Sequence, residues 1–290
     1  MKKPAAISHT AVVALLISGA DAFCADKSQY WLFNPTPDRL LREMTTDRPD
    51  ISESPFTVDA GHVQFETTIV GYTRSAANQE GTITEEFDFL TTNMRIGVTN
   101  SAEIDVVWQP YGTVRTRLAD PLGSFHQSGI GGLNLRAKFN LWGNDNFEKP
   151  GATALALLPF ISLPTDRHNG ISPEFVAGGI VIPLAIKLSE KWEVALNGGL
   201  AHLREDAESR YHTEYLASTS FSYEWSEKFS TYYEIAGRFN TENRPGDPVV
   251  LGTGFTYKLS KNTQLDAGVN VGVTPAADRI NPFVGWSARF

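Results

Sequence analysis

LNLRAKFNL, residues 133–141, decides the fold. Leu133, Leu135, Ala137, Phe139 and Leu141 alternate with Asn134, Arg136, Lys138 and Asn140. A period of two is the strand period, so one face of this strand suits an apolar medium and the other suits water or polar partners. The same phase recurs along the chain. Ile104, Val106 and Trp108 oppose Glu103, Asp105 and Gln109; Trp192, Val194, Leu196 and Leu200 oppose Glu193 and Asn197. Phe229, Thr231, Tyr233, Ile235 and Phe239 oppose Glu234 and Arg238, and Leu265, Ala267, Val269 and Val271 oppose Asp266 and Asn270.

Alternation alone also fits a soluble sandwich, and strand length separates the two. Extended segments are expected near 61–74, 83–98, 102–116, 129–142, 151–164, 173–188, 191–204, 210–225, 228–240, 248–260, 263–274 and 280–290. Most exceed the roughly 9 to 11 residues that a tilted strand needs to cross hydrocarbon, whereas soluble strands average about 5 to 6. The connections alternate as well. Thr99–Ser101, Ser189–Glu190, Ser226–Glu227 and Ser260–Asn262 are short, and 143–150 is somewhat longer. Most of 75–82, 117–128, 165–172, 205–209, 241–247 and 275–279 are longer and polar. Short periplasmic turns and longer outer loops are the habit of outer-membrane barrels. The expectation is an all-β, transmembrane, antiparallel up-and-down barrel of about twelve strands, with an even count returning both ends to the periplasm.

Composition agrees. A mean hydropathy of −0.21 looks soluble, but a barrel presents apolar residues only at every second position. A net charge of −8 leaves no basic stripe for nucleic acid. Lys2 and Lys3, the apolar run 11–17 and Ala20-Asp21-Ala22 read as a secretory signal occupying 1–22. Cys24 is the sole cysteine, so neither an intrachain disulfide nor a cysteine metal site is expected.

Residues 23–59 lack strand alternation. They hold Pro35, Pro37, Pro49 and Pro55 and one short helix candidate from Pro37 to Met44. This pre-barrel segment is either a plug within the barrel or a periplasmic cap or tail. As a plug, its charges Asp47, Arg48, Asp50 and Glu53 would meet Arg136, Lys138 or Arg238. Strand parity turns Gln64, Glu66, Glu103, Asp105, Arg136, Lys138, Glu234, Arg238, Asp266 and Asn270 toward the lumen, where they would line a pore or satisfy one another in a filled interior. Trp142, Trp192 and Trp225, with Phe229 beside the last, sit next to short turns and suit a periplasmic aromatic girdle. Phe290 ends an alternating strand after Trp286 and Arg289, a pattern resembling the signal read by the outer-membrane assembly machinery.

Two stretches resemble a known family. WLFNPTPDRLLREMTTDRPDISESPFTV at 31–58 and DAGHVQFE at 59–66 contain Thr46-Asp47-Arg48-Pro49-Asp50, Glu53-Ser54-Pro55 and Gly61-His62-Val63-Gln64-Phe65-Glu66. With Gly131-Gly132-Leu133-Asn134-Leu135-Arg136-Ala137-Lys138, they resemble the outer-membrane transporter family labelled for the meta-pathway of phenol degradation. The likeness runs from Trp31 to Phe290. It implies an outer-membrane barrel admitting a small solute, aromatic or otherwise hydrophobic, and supplies no catalytic residue.

The competing readings are an adhesive or structural barrel with partner-binding outer loops and, third, a lipid hydrolase built on His126-Gln127-Ser128 with Asn140. Twelve residues of strand span about 40 Å, which places Asn140 near the opposite face from His126. Parity also turns His126 and Ser128 inward, away from lipid. His202 falls on the outward phase. His62, His168 and His212 lack a partner at metal-ligand spacing. No catalytic, metal or cofactor site is expected. The expected partners are outer-membrane lipid, the assembly machinery and a small-molecule solute.

Overall fold

A computed structural model describes residues 26–119, 123–167, 169–204, 210–240 and 246–290. The expected signal segment 1–22, Cys24, His168 and residues 120–122, 205–209 and 241–245 lie outside the described residues.

Fourteen strands form one antiparallel sheet: β1 (Val63–Arg74), β2 (Ile83–Thr99), β3 (Ala102–Trp108), β4 (Tyr111–Arg117), β5 (Ser124–Gly129), β6 (Leu133–Trp142), β7 (Thr153–Leu163), β8 (Ala177–Lys187), β9 (Trp192–Leu203), β10 (His212–Ser226), β11 (Phe229–Asn240), β12 (Val249–Ser260), β13 (Thr263–Gly272) and β14 (Ile280–Arg289). β1 pairs with both β2 and β14, which closes the sheet on itself. β3 and β4 both pair with β2 and make one stave broken at Gln109-Pro110. β5 and β6 likewise make one stave, broken at Ile130–Gly132. The result is a closed barrel of twelve staves. Proline lacks the donor that a ladder needs, and paired glycines supply no side chain to hold a strand straight, so the breaks fall where the sequence places Pro110 and Gly131-Gly132.

The burial pattern inverts that of a soluble protein. Arg95, Lys138, Gln64, Glu66, Glu103, Asp105 and Asp266 are among the largest fully buried side chains, while Ile104, Phe139, Leu141, Ile182, Phe221, Ile235 and Leu251 are exposed on the outer face. An outer wall of this kind is stable against hydrocarbon and costly in water, which makes the barrel a membrane-spanning one. At the short-turn end, Trp192 lies 4.7 Å from Tyr223 and Tyr223 lies 4.8 Å from Trp225, ring centre to ring centre. Trp142 and Trp225 donate their indole N–H to Thr153 and Thr231 at 3.1 and 3.0 Å. Phe290 extends the seam, exchanging backbone hydrogen bonds with Val63 at 2.8 and 3.1 Å.

Three sequence expectations need correction. The residues 117–128 expected to form a loop contain β5, whose polar run Ser124–Gly129 hides its strand character. The Pro37–Met44 helix shrinks to a single 3-10 turn, Asp38–Leu40, which has no side-chain cap and no buried residue to hold it. His126 and Ser128 also face outward, because the phase slips at the Ile130–Gly132 break. His126 pairs with Arg115 and Ser128 with Thr113, on the same face as exposed Tyr111. A matching slip occurs across the wall, where β1 carries a bulge at Ile69 and Leu90 of β2 adopts φ +56°.

Candidate functional site

The lumen is where the sequence-derived residues converge, and much of it is filled by the chain's own N-terminal segment, Asp26–Ala60. That stretch makes no regular element beyond its one 3-10 turn, because its prolines and short polar side chains leave few donors for a ladder. Its backbone groups must still be satisfied, and they bond to the charged side chains that parity points inward.

Near the short-turn end, the buried carboxylate of Asp59 meets Lys27 at 3.3 Å, Arg42 at 3.4 Å and Arg289 at 3.4 Å. Deeper in, Arg95 of β2 is fully buried and forks between Glu66 at 2.7 Å and Glu103 at 2.8 Å. Lys138 binds Asp47 at 2.7 Å and Glu103 at 3.2 Å. The same carboxylates take backbone donors from the segment: Asp47 N–H to Glu66 at 3.0 Å and Val58 N–H to Glu103 at 2.6 Å. Gln64 donates to the Thr45 carbonyl at 2.8 Å. Asp47, Glu103 and Asp105 bring carboxylate oxygens within 4.8 Å of one another, and Arg95 and Lys138 supply the counter-charge. Both oxygens of Asp105 are buried without a hydrogen-bond partner among the described residues.

Further along the segment, Arg48 binds Asp266 at 2.7 Å and Thr68 at 2.5 Å, and its guanidinium stands 5.5 Å from the Phe283 ring centre. Gly285 makes this possible, since a Cβ there would lie 2.2 Å from the Arg48 Nη2. At the innermost turn, Glu234 accepts from Ile51 N–H at 2.8 Å, Ser52 N–H at 2.7 Å and the Ser52 hydroxyl at 2.6 Å. Glu53 pairs with Arg136 at 2.6 Å, and its N–H and C=O bond the Asn197 amide at 2.7 and 3.1 Å.

Eight of the ten lumen candidates therefore sit in these clusters. The other two do not touch the segment: Arg238 lies toward the rim, 3.9 Å from Glu214, and Asn270 donates to Asn281 at 3.1 Å. Of the segment's charges, Asp47 finds Lys138, Glu53 finds Arg136 and Arg48 finds Asp266; none meets Arg238. Asp50 is half-buried beside Glu234, and desolvation first, then that neighbouring charge, push its carboxyl well above the usual carboxylate range. The lumen candidates drawn from the sequence omit Arg95, Asn197, Asp59 and Arg289. Arg95 and Asn197 carried the available signal, being polar positions on the inward phase of their strands. Asn140 is buried inside and donates to the Pro55 carbonyl at 2.9 Å, so the wall separates it from His126 and Ser128.

The segment does not fill the barrel evenly. Between it and β8–β12 lies a cavity of about 570 Å³ toward the short-turn end, lined by Ala185, Ala195, Ser220, Ser222, Ser230 and Thr256. A second cavity of about 390 Å³ lies on the long-loop side, lined by Leu158, Phe160, Val181, Leu216, Ala236 and Val250.

A closed membrane-spanning barrel whose lumen holds an N-terminal segment beside a partly open passage is the class that fold and site define. Residues 46–290 match the family model described as "Putative MetA-pathway of phenol degradation", and the chain belongs to that family. Among solved structures, the COG4313 outer membrane channel from Pseudomonas putida F1 is similar, at 12% identity and a TM-score of 0.60, covering 85% of this chain and 100% of that one. The β domain of the Bordetella autotransporter BrkA is 12% identical over 79% of this chain and 99% of its own, with a TM-score of 0.48. The CymD monoaromatic hydrocarbon channel is 11% identical over 79% of this chain and 88% of its own, with a TM-score of 0.38. No curated protein matches the chain.

Proposed function

We propose that this protein is an outer-membrane channel for the passive diffusion of a small solute, aromatic or otherwise hydrophobic, and that residues 26–60 act as its plug. The observation that carries the reading is the asymmetry of the lumen: charged contacts fix the segment to one flank, and two cavities lie end to end along the other. Diffusion requires only a passage of suitable size and lining, which such cavities supply when the contact between them opens. Membership of the family points the same way, and the printed name of the COG4313 structure as a channel suits it. In this reading Trp142, Trp192, Trp225 and Phe229 form the periplasmic girdle, Phe290 is read by the assembly machinery, and outer-membrane lipid covers the exposed apolar wall.

The reading is non-enzymatic. Lipid hydrolysis would need His126, Ser128 and Asn140 together, and they lie on opposite faces of the wall. Deleting residues 26–56 should raise single-channel conductance in planar bilayers, and the intact protein should pass small neutral solutes in a liposome-swelling assay. A barrel whose only role is to present adhesive outer loops would pass no solute in either form, and that outcome overturns the proposal. Heat-modifiable mobility on gels checks that the deleted form is still a folded barrel.

A further inference from the structure

The two cavities meet at the segment, and Glu53 lines both. Asp50, Ser52 and Glu53 line the lower one, and Ile51 and Glu53 line the upper one. The wall shows the same division. On β11, Tyr232 faces the lower cavity and Ala236 the upper, with Glu234 at the level between. On β9 the change comes between Ala195 and Asn197, and on β10 between Ser220 and Ser218. The tripeptide Ile51-Ser52-Glu53 thus stands as a septum at one height, pinned to exactly these strands by Glu234, Asn197 and a Ser52–Ser218 hydroxyl contact of 2.7 Å.

Resting on the channel reading, we infer that this septum is the barrier a solute crosses, and that Glu234 is its specificity-determining residue, passing uncharged solutes and rejecting anions. The pins on this flank differ in kind from those elsewhere. Asp47, Arg48 and Glu53 are held by ion pairs to side chains of β6 and β13, whereas toward β11 Ile51 and Ser52 are held through their own N–H groups and a hydroxyl. Water entering the lumen can replace these donors and acceptors as the segment moves, so the bonds exchange rather than being lost. When the septum lifts, Glu234 loses three donors and presents a bare carboxylate to the passage, in a lumen where charge is poorly screened. An anionic solute meets repulsion there, and a neutral one does not. The upper cavity offers aliphatic and aromatic side chains together with Arg136, Arg238 and Asp278, and the lower one offers hydroxyl groups together with Lys187 and Glu193.

The experiment uses the full chain in liposomes with Cys24→Ser as background. Ser52→Cys with Ser218→Cys places two thiols where hydroxyl oxygens now stand 2.7 Å apart. Oxidation should then abolish swelling by a neutral probe such as benzyl alcohol, and reduction should restore it. In parallel, Glu234→Gln should raise benzoate flux about tenfold, the effect of a single removed charge, while benzyl alcohol flux moves far less. If the cross-linked form passes the neutral probe as fast as the reduced form, the septum is not the barrier and the inference falls while the channel stands. If Glu234→Gln raises both probes equally, Glu234 is a pin without selectivity and that part falls. If the parent protein passes neither probe, the channel reading itself fails.

Discussion

The two flanks of the lumen use the same N-terminal segment in opposite ways. Toward β13, β1, β2, β3 and β6, buried charges are matched one to another: Arg95 with Glu66 and Glu103, Lys138 with Asp47, Arg48 with Asp266. Toward β8–β12 the wall is Ala185, Ala195, Ser220, Ser222 and Ser230, small side chains that leave space. The segment is thus fixed by ion pairs along one edge and held by hydrogen bonds to Glu234, Asn197 and Ser218 along the other. Paired charge here serves attachment, and space remains where the wall is built largely of small side chains, with Lys187 and Glu193 among them.

The largest effect should come from breaking the fixed edge. Lys138→Met removes one of the two cations that serve Asp47 and Glu103 and leaves Arg95 alone among the buried carboxylates, at a cost of about 3–5 kcal/mol. Unfolding in denaturant should show the loss directly, with conductance rising in the folded fraction. Lys138→Met with Asp47→Asn should recover part of it, because both partners are then neutral. Arg48→Gln should cost less, about 1–3 kcal/mol, since Arg48 is partly exposed and Thr68 and Asp266 retain some bonding. Its signature is noisier single-channel current with a smaller drop in the barrel's thermal midpoint than Lys138→Met produces.

A pH effect sharpens the comparison on the open edge. Asp50 is held above its ordinary range by burial and by Glu234, with Asp47 adding to the same direction and the Ser220 hydroxyl opposing it. A carboxyl raised in the seated state favours seating while protonated, and that contribution is lost as pH rises from the ordinary value of 3.8 through the raised one. Acid should therefore quieten the channel and alkali open it, and Asp50→Asn should flatten the conductance-versus-pH curve. The smallest effect belongs outside the lumen: Trp225→Ala removes one interfacial ring and should cost about 1 kcal/mol of folding in detergent, with conductance unchanged.

What could be read from the residues follows from period two. Alternation at Leu133–Leu141 placed both faces of β6 correctly, and the same phase located Glu103, Glu234 and Asp266 inside. It failed where the phase slips. Ile69, Leu90, Gln109-Pro110 and Ile130–Gly132 each shift or interrupt a stave, and a slip reverses every side chain beyond it, as His126 and Ser128 show. The irregular segment was recognisable as a non-strand, but its position was not. Asp47 or Glu53 suits a tail in water as well as a partner for Lys138 or Arg136, and only the closed sheet brings those lysine and arginine side chains to them.

The Arg48–Asp266 and Glu53–Arg136 pairs have a mechanical consequence. They anchor two points of one short stretch to strands on different parts of the circumference, β13 and β6. An extended chain gains at most about 3.3–3.6 Å per residue, so the stretch between them is a tether about 17 Å long. Like a spoke drawn across a hoop, it caps how far those two sides can spread, and so limits how oval the cross-section becomes under lateral pressure from the surrounding lipid.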